Sequence, residues 1–127
     1  MSIDSAKITS FTKLNAWIEG RKLVLMVYAM VKTFPKEEIY GLTSQMCRSA
    51  VSITSNIAEG FGRQSYKEKI QFYYIAFGSL TELQNQLIIA RDVKYLSKVD
   101  FSQVANHSVV VHKILSGLIK KSKSYSS

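Results

Sequence analysis

The chain has 127 residues, the usual size of one domain and enough to bury a core, so a second domain is not expected. With 46% apolar residues, six Gly and one Pro, its composition excludes a turn-rich all-β fold and a disordered chain and suits long, rarely interrupted helices. Seventeen Lys and Arg against nine Asp and Glu give a formal charge of +8, which favours anionic partners, and the lone Cys47 excludes an internal disulfide.

Residues 1–12 lack the basic-then-apolar layout of a secretory signal and read as a flexible N-terminal arm, so a cytoplasmic, reducing setting is expected. A first helix is predicted over about 13–34, with Thr12 as a possible N-cap and Pro35 forcing Phe34 out of helical geometry. Leu14, Trp17, Val24, Val27, Val31 and Phe34 share a face. Gly20 in that row costs ~1 kcal/mol relative to Ala unless a neighbouring helix comes close there. The run Leu23 to Val31 falls far short of the ~20 residues that cross a bilayer. It is nevertheless apolar all round, and a helix in a lone bundle needs one apolar stripe only. A second face is therefore expected to meet another subunit, with Leu23, Met26, Val27 and Met30 at the oligomer interface.

A second helix is predicted over about 42–60, with core row Leu42, Met46, Ala50, Ile53 and Ile57. Gly60-Phe61-Gly62 is available to supply a left-handed terminating residue. The third helix, about 65–94, opens on a capping box between Ser65 and Glu68 and lines the core with Phe72, Ala76, Leu80, Leu83, Leu87 and Ala90. The fourth, about 100–121, opens on Asp100 with Gln103 and carries Phe101, Val104, Val111, Leu115 and Leu118 inward. Residues 122–127 read as a frayed basic tail. Short connections make consecutive helices antiparallel neighbours. The expected fold is an all-α, up-down-up-down four-helix bundle.

Beside the apolar row of the second helix runs a polar stripe, Gln45, Arg48, Ser52, Asn56 and Glu59. Folding the second and third helices into a hairpin brings Arg48 level with Glu82. Such a pair either holds a phosphate or carboxylate ligand or belongs to a structural polar network that fixes register, and the network is the favoured reading. Replacing Glu82 with Gln is then expected to lower stability. Other chemistry is unsupported. His107 and His112 are five apart and do not share a face as a metal pair would, and no glycine-rich phosphate loop follows a strand. No catalytic residue, metal or cofactor is expected.

The predicted topology segregates charge. One end collects Lys7, Lys13, Arg63, Lys67, Lys69, Lys120, Lys121 and Lys123 against Asp4, Glu59 and Glu68. At the other, Lys32, Lys36, Arg91, Lys94 and Lys98 are nearly balanced by Glu37, Glu38, Asp92 and Asp100. A one-sided basic surface attracts phosphate backbones by counterion release. The row Tyr66, Ile70, Tyr73 and Phe77, interleaved with Lys67 and Lys69, reads as packing in preference to base stacking.

The run FPKEEIYGLTSQMCRSAVSITSNIAEGFGR, from Phe34 to Arg63, together with AFGSLTE from Ala76 to Glu82, resembles the four-helix-bundle proteins encoded in intervening sequences of bacterial ribosomal RNA genes. Phe11, Leu14 and Trp17 extend the resemblance over most of the chain. It implies assembly into a ring, typically a homopentamer. That family is similar to the accessory variability protein of diversity-generating retroelements, a basic pentameric barrel that binds nucleic acid. It attaches no catalytic role to the matching positions Gln45, Arg48, Ser52, Asn56, Glu59, Gly60, Gly78, Ser79 and Glu82. Cys47 stands where a second basic residue is common. The combined expectation is a non-enzymatic, oligomeric nucleic-acid-binding protein, with RNA taken over DNA from the resemblance alone; the alternative is a ring-shaped scaffold for a protein partner.

Overall fold

The computed structural model describes residues 10–126. Four helices account for most of them: α1 Asn15–Val31, α2 Leu42–Phe61, α3 Tyr66–Asp92 and α4 Lys98–Tyr125. Each packs on its neighbours in sequence, and α4 closes the ring against α1, which is the antiparallel up-down-up-down bundle. No strand occurs among the described residues.

The local sequence explains most of the boundaries. Phe11–Lys13 form a single 3-10 turn, and the Phe11 ring meets Trp17 edge-on at 5.3 Å, so the chain is already packed before α1 begins. That corrects the expectation of a flexible arm for residues 10–12. α1 starts at Asn15 with Leu14 in the capping position, later than a Thr12 cap would have it, and stops at Val31, ahead of Pro35. α3 opens on Ser65, whose Oγ accepts the Glu68 N–H at 3.2 Å and donates to Glu68 Oε2 at 3.1 Å. α4 opens not at Asp100 but at Lys98, because Ser97 accepts the Asp100 N–H at 3.1 Å and is the better cap. It then runs to Tyr125, so residues 122–125 are helical where the sequence suggested fraying.

α2 ends without a left-handed residue. Gly62 has φ −78°, and the one residue with positive φ among those described is Lys94, just past α3. The glycine at Gly60 serves proximity instead. A Cβ there would lie 2.8 Å from Tyr73 Cε1 and 2.9 Å from Phe72 Cβ, so α2 and α3 approach as closely as they do because Gly60 has no side chain. At Gly20 a Cβ would come 3.1 Å from Thr54 Cγ2, which supplies the close approach of α2 that such a glycine calls for.

The core is drawn from all four helices: Leu23 and Val27, Met46, Ala50, Ile53 and Ile57, Ala76, Leu80, Leu83 and Leu87, and Val104, Val111 and Leu115. For α2, α3 and α4 these are largely the predicted rows. In α1 the buried face is rotated to Ala16, Gly20, Leu23, Val27, Met30 and Val31, while Leu14, Trp17 and Val24 lie at its edge. A segment apolar all round gives periodicity nothing to choose a face by.

Two polar contacts fasten the far end of the bundle. Glu38, in the α1-α2 connection, accepts the Leu42 N–H at 3.0 Å and the Tyr95 hydroxyl at 2.9 Å. The Phe34 and Tyr95 rings lie 5.4 Å apart beside them. Across the bundle, His107 Nε2 lies 3.0 Å from the Glu19 carbonyl oxygen, tying α4 to α1.

Candidate nucleic-acid interface

The connection between α2 and α3 sets the geometry of the basic end. Lys69, one turn into α3, donates to the carbonyl of Phe61 at 2.6 Å, satisfying one of the acceptors that the last turn of α2 leaves open. Arg63 bonds Glu59 at 2.8 Å and lies over the Phe72 ring at 4.5 Å. At the other chain end, the Tyr125 ring of α4 packs on Tyr66 of α3 at 5.1 Å. Leu14, Phe61, Tyr66, Lys69, Leu118, Lys121, Ser122 and Tyr125 line one cleft of about 280 Å³, so the start of α1, the end of α2, the start of α3 and the end of α4 meet there.

The charge segregation expected from topology is therefore present. Among the described residues that end carries Lys13, Arg63, Lys67, Lys69, Lys120, Lys121 and Lys123 against Glu59 and Glu68; Lys7 lies outside the described residues. Lys13, Lys67, Lys120 and Lys121 are exposed. Lys123 lies over Tyr74 at 5.0 Å, at a second cleft of about 310 Å³ lined by Tyr74, Phe77, Ser116, Ile119, Lys120 and Lys123.

The aromatic row divides. Tyr73 is core, 1% exposed, and burial with the neighbouring Tyr66 pushes its hydroxyl up to about 12. Phe77 is half-buried against His112 at 4.7 Å. Tyr66 is 40% exposed and stays at the surface, joined by two tyrosines that the sequence reading passed over, Tyr74 at 46% and Tyr125 at 57%. Tyr74 is hidden in the sequence by standing next to Tyr73; Tyr125 sits in the segment taken for a tail.

The polar stripe on α2 is only partly a network. Ser52 and Ser79 share a hydrogen bond at 2.8 Å, and Asn56 Nδ2 donates to the Ser52 carbonyl at 2.8 Å and lies 3.1 Å from its hydroxyl. Glu59 is taken by Arg63. Arg48 and Glu82 line one open groove with Tyr40, Ser44, Gln45, Ser52 and Ser79, yet among the described residues they form no ion pair, and Gln45 is bonded only through its backbone, whose N–H donates to the Gly41 carbonyl. The register prediction placed them level, but their long side chains reach water instead of each other. Cys47 is half-buried, and burial pushes its thiol up, away from the reactive thiolate.

The predicted subunit contact needs correction as well. Leu23 and Val27 are fully buried and Met30 nearly so, so these three serve the bundle itself, while Met26 is half-buried at the edge of the core and lines an open groove. The apolar residues that α1 leaves outside are Leu25 and Tyr28, and Tyr28 shares a shallow groove with Cys47 and Val51 of α2.

Compared with known proteins, residues 12–117 match the 23S rRNA-intervening sequence protein family. The chain belongs to that family. A solved structure similar to this family member is that of a protein with unknown function from the S23 ribosomal protein family of Bacteroides thetaiotaomicron, 22% identical over 83% of this chain and 95% of that one, with a TM-score of 0.75. At that identity the likeness establishes the shared bundle. No protein of curated function matches. Among the described residues of this intervening-sequence protein no His, Cys, Asp and Glu cluster is placed to hold a metal, and no helix is long and apolar enough to cross a membrane.

Proposed function

We propose that this intervening-sequence family member is a non-enzymatic nucleic-acid-binding protein that works as a homo-oligomer and grips phosphate backbones with its basic end. The observation that carries the reading is the segregation of charge: seven basic residues against two acidic ones at one end, five against four at the other. Both acids at the basic end are already engaged, Glu59 by Arg63 and Glu68 by its helix cap. Exposed lysines so arranged release counterions from a phosphate chain without needing base contacts. RNA is taken over DNA, a pentamer over other rings, and the cytoplasm as its compartment, from the family resemblance and the sequence.

Oligomerisation is supported by the outward residues Leu25, Tyr28 and Val51, which put an apolar patch on the α1-α2 face. The same patch favours a second reading, a ring-shaped scaffold for a protein partner. Molar mass measured in solution with and without mixed RNA separates the two. The proposal expects a multiple of 14.3 kDa that rises when RNA is added at low salt. An oligomer indifferent to RNA favours the scaffold, and a monomer indifferent to RNA contradicts both.

A further inference from the structure

The two clefts at the basic end flank the last turns of α4. Tyr66 and Tyr125 stand at one, with Lys69 and Lys121. Tyr74 stands at the other, with Lys120 and Lys123. Along α3, Tyr66 and Tyr74 are eight residues apart, about 12 Å at 1.5 Å per residue. What sets Tyr66, Tyr74 and Tyr125 apart from the other exposed tyrosines, Tyr28 and Tyr40, is that they line clefts shared with lysines. Rings left at the surface keep apolar faces in water and forgo the stabilisation that burial brings.

We infer that the basic end binds unpaired nucleotides, with bases stacking on the tyrosines at the two clefts and the connecting phosphates held by Lys120, Lys121 and Lys123. This rests on the nucleic-acid reading above and deepens it by naming the class, single-stranded nucleic acid. The chemistry favours it in three ways. Every base offers a π-face, so stacking on an aromatic ring tolerates any sequence. Tyr125 has Tyr66, tilted by 40°, as its one ring partner among the described residues, and its 57% exposure leaves ring surface for a base. The ammonium groups lie over one face of the rings, Lys123 Nζ 5.0 Å from the Tyr74 centroid and Lys69 Nζ, held by the Phe61 carbonyl, 5.8 Å from that of Tyr66. A stacked base and its phosphate thus meet ring and cation together, and Lys123 exchanges its aromatic partner for a phosphate oxygen. A duplex keeps its bases stacked on one another and offers the lysines its phosphates alone.

The test compares a fluorescently labelled 12-nucleotide single strand of mixed sequence with the duplex it forms with its complement, by anisotropy at one low salt concentration. The proteins are the wild type, Tyr66→Ala/Tyr125→Ala, Tyr74→Ala, the matching Phe variants, and Lys120→Glu/Lys121→Glu/Lys123→Glu. The inference expects the wild type to bind the single strand at least tenfold more tightly. The Ala variants lose most of that preference and keep their duplex binding, the Phe variants retain it, and circular dichroism confirms each fold. Equal affinity for both forms in the wild type, or a preference unmoved by the Ala variants, overturns the inference and leaves the phosphate-binding proposal standing. No binding of either form overturns both.

Discussion

Tyr95 reaches back 57 positions to donate its hydroxyl hydrogen to Glu38 at 2.9 Å, so the connection between α3 and α4 is fastened to the one between α1 and α2. The same carboxylate takes the Leu42 N–H at the start of α2. Leu42, first, and Tyr95, second, hold the Glu38 carboxyl below the usual glutamate range, and the bond raises the Tyr95 hydroxyl in turn.

The sign of the pH effect follows. Glu38 is the more acidic in the folded chain, so its contribution is present above the unfolded value of about 4.3 and is lost as pH falls through the lower folded value. Denaturant midpoints taken between pH 3 and 7 are expected to fall on acidification, and less steeply in Glu38→Gln, which also starts lower. Parallel curves for the two proteins would remove Glu38 from the account.

Gly60 and Gly78 are expected to answer the same substitution with opposite signs. At Gly60 an added methyl meets Tyr73 and Phe72 inside 3 Å, so Gly60→Ala costs ~1–3 kcal/mol by forcing α2 and α3 apart. At Gly78 an added Cβ would meet no atom within 4 Å beyond its own turn of helix, and Gly78→Ala gains ~0.5–1 kcal/mol by relieving the helix of glycine's entropy. Equilibrium unfolding of the two variants measures both.

In the polar stripe the stability resides in the serines, not in the charges. Ser52→Ala, which removes the bond to Ser79 and a partner of Asn56, is expected to cost ~1 kcal/mol. Glu82→Gln is expected to change stability by less than ~0.5 kcal/mol, because Glu82 makes no ion pair to lose. This reverses what a paired Arg48 and Glu82 would have given. A large loss from Glu82→Gln in urea unfolding would reinstate the pair.

Much of the bundle was legible because its signals are local. Pro35 marks the end of α1, Ser65 and Glu68 announce α3, and the rows of α2, α3 and α4 repeat at helical spacing. The start of α4 is written locally too, since Ser97-Lys98-Val99-Asp100 is itself a capping sequence, but Asp100 with Gln103 forms a second one three residues later and competes with it. What the sequence could not settle depends on tertiary contact. The buried face of α1 is chosen by α2 and α4, because Leu23 to Val31 offers apolar residues in every direction. Whether Arg48 meets Glu82 depends on rotamers and on competition with water, which register alone does not fix.

The subunit contact is expected on the outward side of α1. Tyr28→Glu with Val51→Glu places charges on residues already in water, so the helical signal stays intact while the molar mass falls toward that of a monomer. An unchanged oligomer would move the contact elsewhere on the bundle.

The central claim, that the basic end holds phosphates, is tested most directly by the salt dependence of RNA affinity in the wild type and in Lys120→Glu/Lys121→Glu/Lys123→Glu. Each phosphate neutralised contributes about 0.7 to the slope of log K against log salt for a single strand. The account predicts a steep wild-type slope that flattens by roughly two in the variant, together with a loss of affinity at low salt. Equal slopes and equal affinities for the two proteins would contradict it.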